Sequence, residues 1–206
     1  MEPTDLNRRV WDEVHRPRSG TAPARLPEVV ERHLPDLAGK HVLHLGCGTG
    51  EATAELAGLG ALVTGVDESA EAVAAARERA PAVAFVQGDV NQLPVELRRG
   101  RFDVVYTGIG SALEAWAAGI AAALRGGGKA IVHDEHPILA CLDDTLRWRD
   151  DYFSPRAAGL GQVVTALAAG GLGVESLEEL PVESALLPQA RRVPGELLLV
   201  ARKPDL

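Results

Sequence analysis

The chain has 206 residues, 46% of them hydrophobic, and a formal net charge of −8. That length sustains one domain with a full core and is marginal for two, and the composition excludes a disordered chain. An acidic balance argues against a surface that tracks phosphates, so no nucleic-acid partner is expected. Two cysteines, Cys47 and Cys141, cannot by themselves build a disulfide framework or a zinc site. The first residues, MEPTDLNRRVWDEV, are charged and carry no apolar core of a secretory signal. No apolar run approaches the length of a membrane span. A cytoplasmic protein without a membrane partner is therefore expected.

In chain order, Thr4–His15 and Ala24–Leu34 read as helices, separated by HRPRSGTAP. Five short runs rich in Val, Leu and Ile follow: Val42–Leu45, Leu62–Val66, Val83–Val86, Phe102–Tyr106 and Ala130–His133. None alternates with polar residues, which marks strands buried on both faces of a parallel sheet. Helical stretches lie between them at Glu51–Leu59, Ala70–Ala80 and Ala112–Leu124. The alternation predicts a doubly wound, Rossmann-like α/β fold with helices on both faces. Gly159–Ala169 reads as one more helix. Gly173–Leu180 and Glu196–Arg202 then read as an antiparallel pair at one edge of the sheet. The sheet is expected to be seven-stranded and mostly parallel. One domain over 1–206 is expected, made of a helical cap (1–38), a cofactor-binding core (39–137), and a substrate-side insertion with the last strands (138–206).

The first strand runs directly into Gly46-Cys47-Gly48-Thr49-Gly50, with a helix starting at Glu51. Glycine supplies backbone freedom and room for a ligand there, and the helix start behind it offers free N–H groups. A dinucleotide fingerprint would require a third glycine at position 51. Glu51 occupies that position, and a carboxylate there disfavours a pyrophosphate. The loop suits a nucleoside cofactor without phosphates. Asp67, at the tip of the second strand, is placed to accept the hydroxyls of a ribose. Asp89, after the third, is placed to accept the amino group of an adenine. A helix cap or a turn is the alternative role for each.

The segments HVLHLGCGTGEAT, VTGVDES, VQGDVNQLP, FDVVYTGIGSA and LRGGGKAIVHDEHP resemble, in order, the motifs of the class I S-adenosylmethionine-dependent methyltransferases. The resemblance implies that Gly46, Gly48 and Gly50 pass under the methionine part of the cofactor. It implies further that Asp67 binds the ribose, Asp89 and Val90 the adenine, and that Thr107 and Gly108 sit beside the methionine end. Cys47 and Glu68 complete the expected cofactor set. Trp11-Asp12-Glu13, Tyr106–Gly110, Asp134–Pro137 and Gly159–Gly161 are similar to a group of bacterial small-molecule methyltransferases. The chain departs from that group in its short stretch after Gly110 and in YFSPRAAG between Tyr152 and Gly159, where the group carries more pocket roof.

For the acceptor side, His133-Asp134-Glu135-His136-Pro137 ends the fifth strand. His136 is the candidate base, with Asp134 beside it; capping the strand end is its alternative role. Neighbouring strand residues point to opposite faces, so these groups do not converge on a metal, and none is expected. Trp11, His15, Trp148, Tyr152 and Phe153 are candidates for the substrate wall. His44 is read as a core residue, and Trp116 as core or pocket. The expected function is methyl transfer from S-adenosylmethionine to a small molecule, at oxygen or nitrogen rather than carbon, by a monomer or homodimer, with S-adenosylhomocysteine as product. A module that binds the cofactor or its product without turnover is the alternative. A nicotinamide-dependent oxidoreductase is a third reading, disfavoured by Glu51.

Overall fold

The computed structural model describes residues 26–142, 146–153, 158–182 and 192–205. The expected helix Thr4–His15, with Trp11 and His15, lies outside the described residues. The elements run α1 (Glu28–Glu31), β1 (His41–Leu45), α2 (Glu51–Gly58), β2 (Leu62–Asp67), α3 (Ala70–Arg79), β3 (Ala84–Gln87), β4 (Phe102–Thr107), α4 (Leu113–Ala123), β5 (Leu124–Glu135), α5 (Leu160–Ala169), β6 (Gly173–Pro181) and β7 (Pro194–Arg202). One sheet holds all seven strands in the order β3-β2-β1-β4-β5-β7-β6. The first five are parallel. β7 lies antiparallel between β5 and β6, so the expected edge hairpin is present.

The strand residues divide by parity between two cores, which is why the runs do not alternate with polar residues. Leu43, Val105, Ala130, Val132, Leu197 and Leu199 face the core that α4 and α5 cover with Trp116, Ile120, Val163 and Leu167. Val42, Val104, Ile131, Leu198 and Val200 face the other, which α1 and α2 cover with Val29, Val30 and Leu56. Each Val, Leu or Ile among them stabilises the fold by roughly 1.5–3 kcal/mol on burial.

Most boundaries shift by one or two residues from the expectations, and α1 and β5 differ more. α1 is four residues long where Ala24–Leu34 was expected. Pro27 stands at its N-cap with ψ 137°, outside the helical range, and Pro35 restrains the residue before it to extended backbone. β5 begins at Leu124, directly after α4, and continues to Glu135; an irregularity between its pairings at Leu124 and Lys129 absorbs the run Gly126–Gly128. β3 is displaced by one residue, to Ala84–Gln87.

Gly50 fixes how α2 and α3 meet. Its φ is +85°, and a Cβ there would stand 2.9 Å from Ala76 Cβ and 3.1 Å from Ala76 Cα. Gly50→Ala is expected to destabilise the fold by roughly 2–4 kcal/mol, from the left-handed backbone and overpacking together. A urea denaturation would show a lower midpoint at unchanged slope; an unchanged midpoint would mean that the two helices do not meet in this way.

Candidate functional site

A cavity of about 360 Å³ opens where the sheet order reverses between β1 and β4. That switch point is the usual ligand crevice of open α/β sheets. Gly46 and Gly48 line it with φ of 71° and 52°, and nothing stands within 4 Å of where their side chains would begin. The loop therefore presents bare backbone to the cavity. Gly50 does not line it; its work is the packing of α2 on α3. Cys47 turns the other way, into a small cluster with Val73, Ala76 and Phe85. Burial, and then the charge of Asp67, pushes its thiol up to about 12, so it is protonated and not a nucleophile.

Asp67 ties the first two loops together. Its Oδ2 accepts from Gly48 N at 2.7 Å and its Oδ1 from Ser69 N at 2.9 Å. Ser69 caps α3 by accepting from Ala72 N. A carboxylate offers about four acceptor positions, so both Asp67 oxygens keep capacity toward the cavity. Glu68 also lines the cavity. Glu51 is turned to Arg79, 2.6 Å away, and accepts from Thr49 Oγ1. Its charge is thus compensated, which corrects the expectation that it repels a pyrophosphate. What disfavours phosphates is the lining itself: no Lys or Arg is in it, among the described residues, while Asp67, Glu68 and Asp134 are.

Asp89 is not in the lining; Val90 and Asn91 are. Asp89 Oδ1 accepts from Asn91 N and Nδ2, and Asn91 Oδ1 in turn accepts from Ala112 N. The pair braces the end of β3 against the start of α4. Thr107 and Gly108 line the cavity. Trp116 is fully buried beneath them, its indole donating to Thr107 Oγ1 at 3.3 Å, and so belongs to the core.

Asp134 lines the cavity, but its oxygens accept from Ile109 N at 2.7 Å and Glu135 N at 2.7 Å. It holds the loop after β4 in place. His136 corrects the expectation more sharply. It is 4% exposed and absent from the lining. Its Nδ1 accepts from Ile138 N, capping a 3-10 turn over Pro137–Cys141. Its Nε2 lies 2.9 Å from Glu179, off the direction of a hydrogen bond. The extension of β5 to Glu135 is the reason, because it carries His136 past the cavity. Trp148 and Phe153 also miss the cavity and are 64% and 89% exposed. Tyr152 caps α5, its hydroxyl accepting from Leu160 N.

The lining also holds three ring side chains outside the expected site set: His44, read as core and indeed buried, Tyr106 and His133. His44 and Tyr106 are register partners on β1 and β4, stacked with centroids 4.8 Å apart. Their signal in the sequence was position, since each stands at or one residue from the carboxyl end of its strand. Burial lowers His44 to about 4, and its Nδ1 lies 2.7 Å from the buried Thr53 Oγ1.

Comparison with known proteins bears on this cleft. A family model described as a methyltransferase domain matches residues 42–128. The chain is 45% identical over 87 residues to a trans-aconitate 2-methyltransferase of Paracidovorax citrulli, which is 41% of this chain and 30% of that one. It is 38% identical over 106 residues to a ubiquinone biosynthesis O-methyltransferase of Nitrosococcus oceani, 48% of this chain and 44% of that one. The chain thus spans less than half the length of these curated relatives. A crystal structure of an S-adenosylmethionine-dependent methyltransferase from Mesorhizobium loti superposes with a TM-score of 0.70 at 24% identity, covering 85% of this chain and 96% of that one. A structure described under conversion of a disulfide bond into a thioacetal group during echinomycin biosynthesis gives 0.68 at 27% identity, covering 95% and 92%.

His44 links the site to stability. Its folded value lies below the unfolded one of 6.5, so the unfolded chain binds the extra proton between them. The neutral-imidazole contribution is complete above about pH 6.5 and is lost as pH falls toward 4. It amounts to about 3 kcal/mol. Urea denaturation at stepped pH should therefore show a steeper decline in that window for the wild type than for His44→Leu. Parallel declines would remove His44 as the buried titrating group.

Proposed function

We propose that the chain is a class I S-adenosylmethionine-dependent methyltransferase, which the methyltransferase-domain match over residues 42–128 supports, and that it methylates a small-molecule acceptor at oxygen or nitrogen. The observation that carries this reading is a cleft that, among the described residues, holds no Lys or Arg and opens over the bare backbone of Gly46 and Gly48, with Asp67 pinned at its side. It fits an uncharged nucleoside joined to an amino-acid tail. In this reading Asp67 accepts from the ribose hydroxyls, with Glu68 beside it. Val90 and Asn91 flank the adenine, and Gly46, Gly48, Thr107 and Gly108 surround the methionine end. When bound, S-adenosylmethionine supplies an electrophilic methyl carbon on a positively charged sulfur and leaves as S-adenosylhomocysteine. The protein's share is positioning and exclusion of water, which supplies roughly 7–11 kcal/mol of such a barrier.

The acceptor side is built from the ends of β4 and β5. The two curated relatives, one named for trans-aconitate and one for O-methylation in ubiquinone biosynthesis, support a small organic acceptor with oxygen as the attacked atom. The N-terminal cap and residues 138–206 would contribute the rest of the substrate side within one domain. A module that binds the cofactor without turnover is the second reading. It is favoured by the position of Trp148, Tyr152 and Phe153 away from the cavity.

Titration calorimetry separates these readings from a nicotinamide enzyme. S-adenosylmethionine and S-adenosylhomocysteine should bind, and NAD should not. Asp67→Ala should weaken binding more than tenfold, the worth of a charge-assisted bond of about 1.5–3 kcal/mol. Binding of NAD alone, or an unchanged affinity in Asp67→Ala, would refute the assignment.

A further inference from the structure

Four polar side chains share one face of the sheet near its carboxyl end: His44 on β1, Tyr106 on β4, His133 on β5 and Glu196 on β7. Their parity is that of Val42, Val104, Ile131 and Leu198, which line the same core below them. The first three line the cavity. Glu196 reaches in from the neighbouring strand, its Oε2 lying 2.8 Å from His133 Nε2. Its place in the ladder is directly opposite Glu135, where like charges destabilise a sheet. Sheet stability therefore does not explain a carboxylate at this position, whereas the imidazole does.

The other polar groups of the cavity have separate occupations. Asp67 and Asp134 accept from backbone N–H groups of the loops they hold. His44 is bound to Thr53 and is made a weak base by burial. Tyr106 is raised to about 12 by burial and by the charges of Asp134 and Glu196, so its phenol remains an O–H donor. His133 is left as an imidazole whose Nε2–H has a carboxylate to donate to, which leaves Nδ1 as the basic nitrogen. A histidine oriented by a carboxylate is the usual build of a general base.

Resting on the methyl-transfer reading above, we propose that His133, oriented by Glu196, takes the proton of a hydroxyl acceptor of phenol or enol type. A carboxylate acceptor is already ionised near neutrality and requires no base, so this pair would add nothing to its methylation. In the step, the acceptor's O–H proton goes to His133 Nδ1 and an oxygen lone pair forms the new bond to the methyl carbon. The pair of the broken carbon–sulfur bond stays on sulfur. The imidazolium is held against the Glu196 carboxylate until it returns its proton to solvent. Glu196 is a positioning residue; Tyr106 is placed as a donor on the same face.

The test is nitrogen-15 NMR of the histidine rings in the full chain saturated with S-adenosylhomocysteine, at about pH 8, where an ordinary imidazole is neutral. His133 should be the Nε2–H tautomer, and phenol added as a probe should move its Nδ1 resonance, while benzoate should not. Glu196→Ala should lose both the tautomer preference and the phenol response, and Glu196→Asp should restore them in part. An Nδ1–H tautomer, or no movement with phenol, overturns the proposal. Benzoate moving the resonance as much as phenol also overturns it. Failure of S-adenosylhomocysteine to bind at all would instead overturn the cofactor reading, which His133→Ala should leave intact within about twofold while Asp67→Ala does not.

Discussion

The carboxylate of Asp67, at the end of β2, accepts one N–H from the glycine loop after β1 and another from its own turn into α3. Those two bonds, each to a charged acceptor and so worth about 1.5–3 kcal/mol, join the separate loops into a single wall. The same device recurs along the sheet. Asp89 braces Asn91 against α4, and Asp134 fastens Ile109 after β4. At the ends of β2, β3 and β5 an acidic residue thus binds neighbouring backbone, and the cleft keeps its shape with no Lys or Arg in its lining among the described residues. A cleft fixed by carboxylates favours a cationic sulfonium and an amino-acid ammonium over a pyrophosphate.

Much of the fold was legible because a parallel sheet buries both faces of its strands. Val42–Leu45 and Phe102–Tyr106 read as strands from composition alone, and the structure extends them by one residue each. The edge pair β6–β7 was also legible from its punctuation by Pro and Gly. α1 and β5 were less so. Pro27 and Pro35 cut the first short, and the glycine run 126–128 hid the early start of the second inside an apparent loop.

The glycine-loop side of the cleft was readable because backbone geometry sets it. Gly46, Gly48, Asp67, Glu68, Val90, Thr107 and Gly108, the residues read as cofactor-binding, share one cavity. Gly50, Cys47 and Asp89 instead support the elements around it. The β4–β5 side depends on register, which the sequence specified less well. Two residues of extra strand at the end of β5 carried His136 into a buried cap and left His133 on the cavity. His44 read as a core residue and is one, buried and bound to Thr53; standing one residue from the end of β1, it also borders the cavity.

A crystal structure of the full chain with S-adenosylhomocysteine addresses the cofactor assignment most directly. The ribose hydroxyls should lie within hydrogen-bond distance of Asp67, the adenine beside Val90 and Asn91, and the sulfur toward Thr107 and Gly108. A ligand seated outside the β1–β4 switch point, or one whose ribose turns away from Asp67, would contradict the assignment of this cleft.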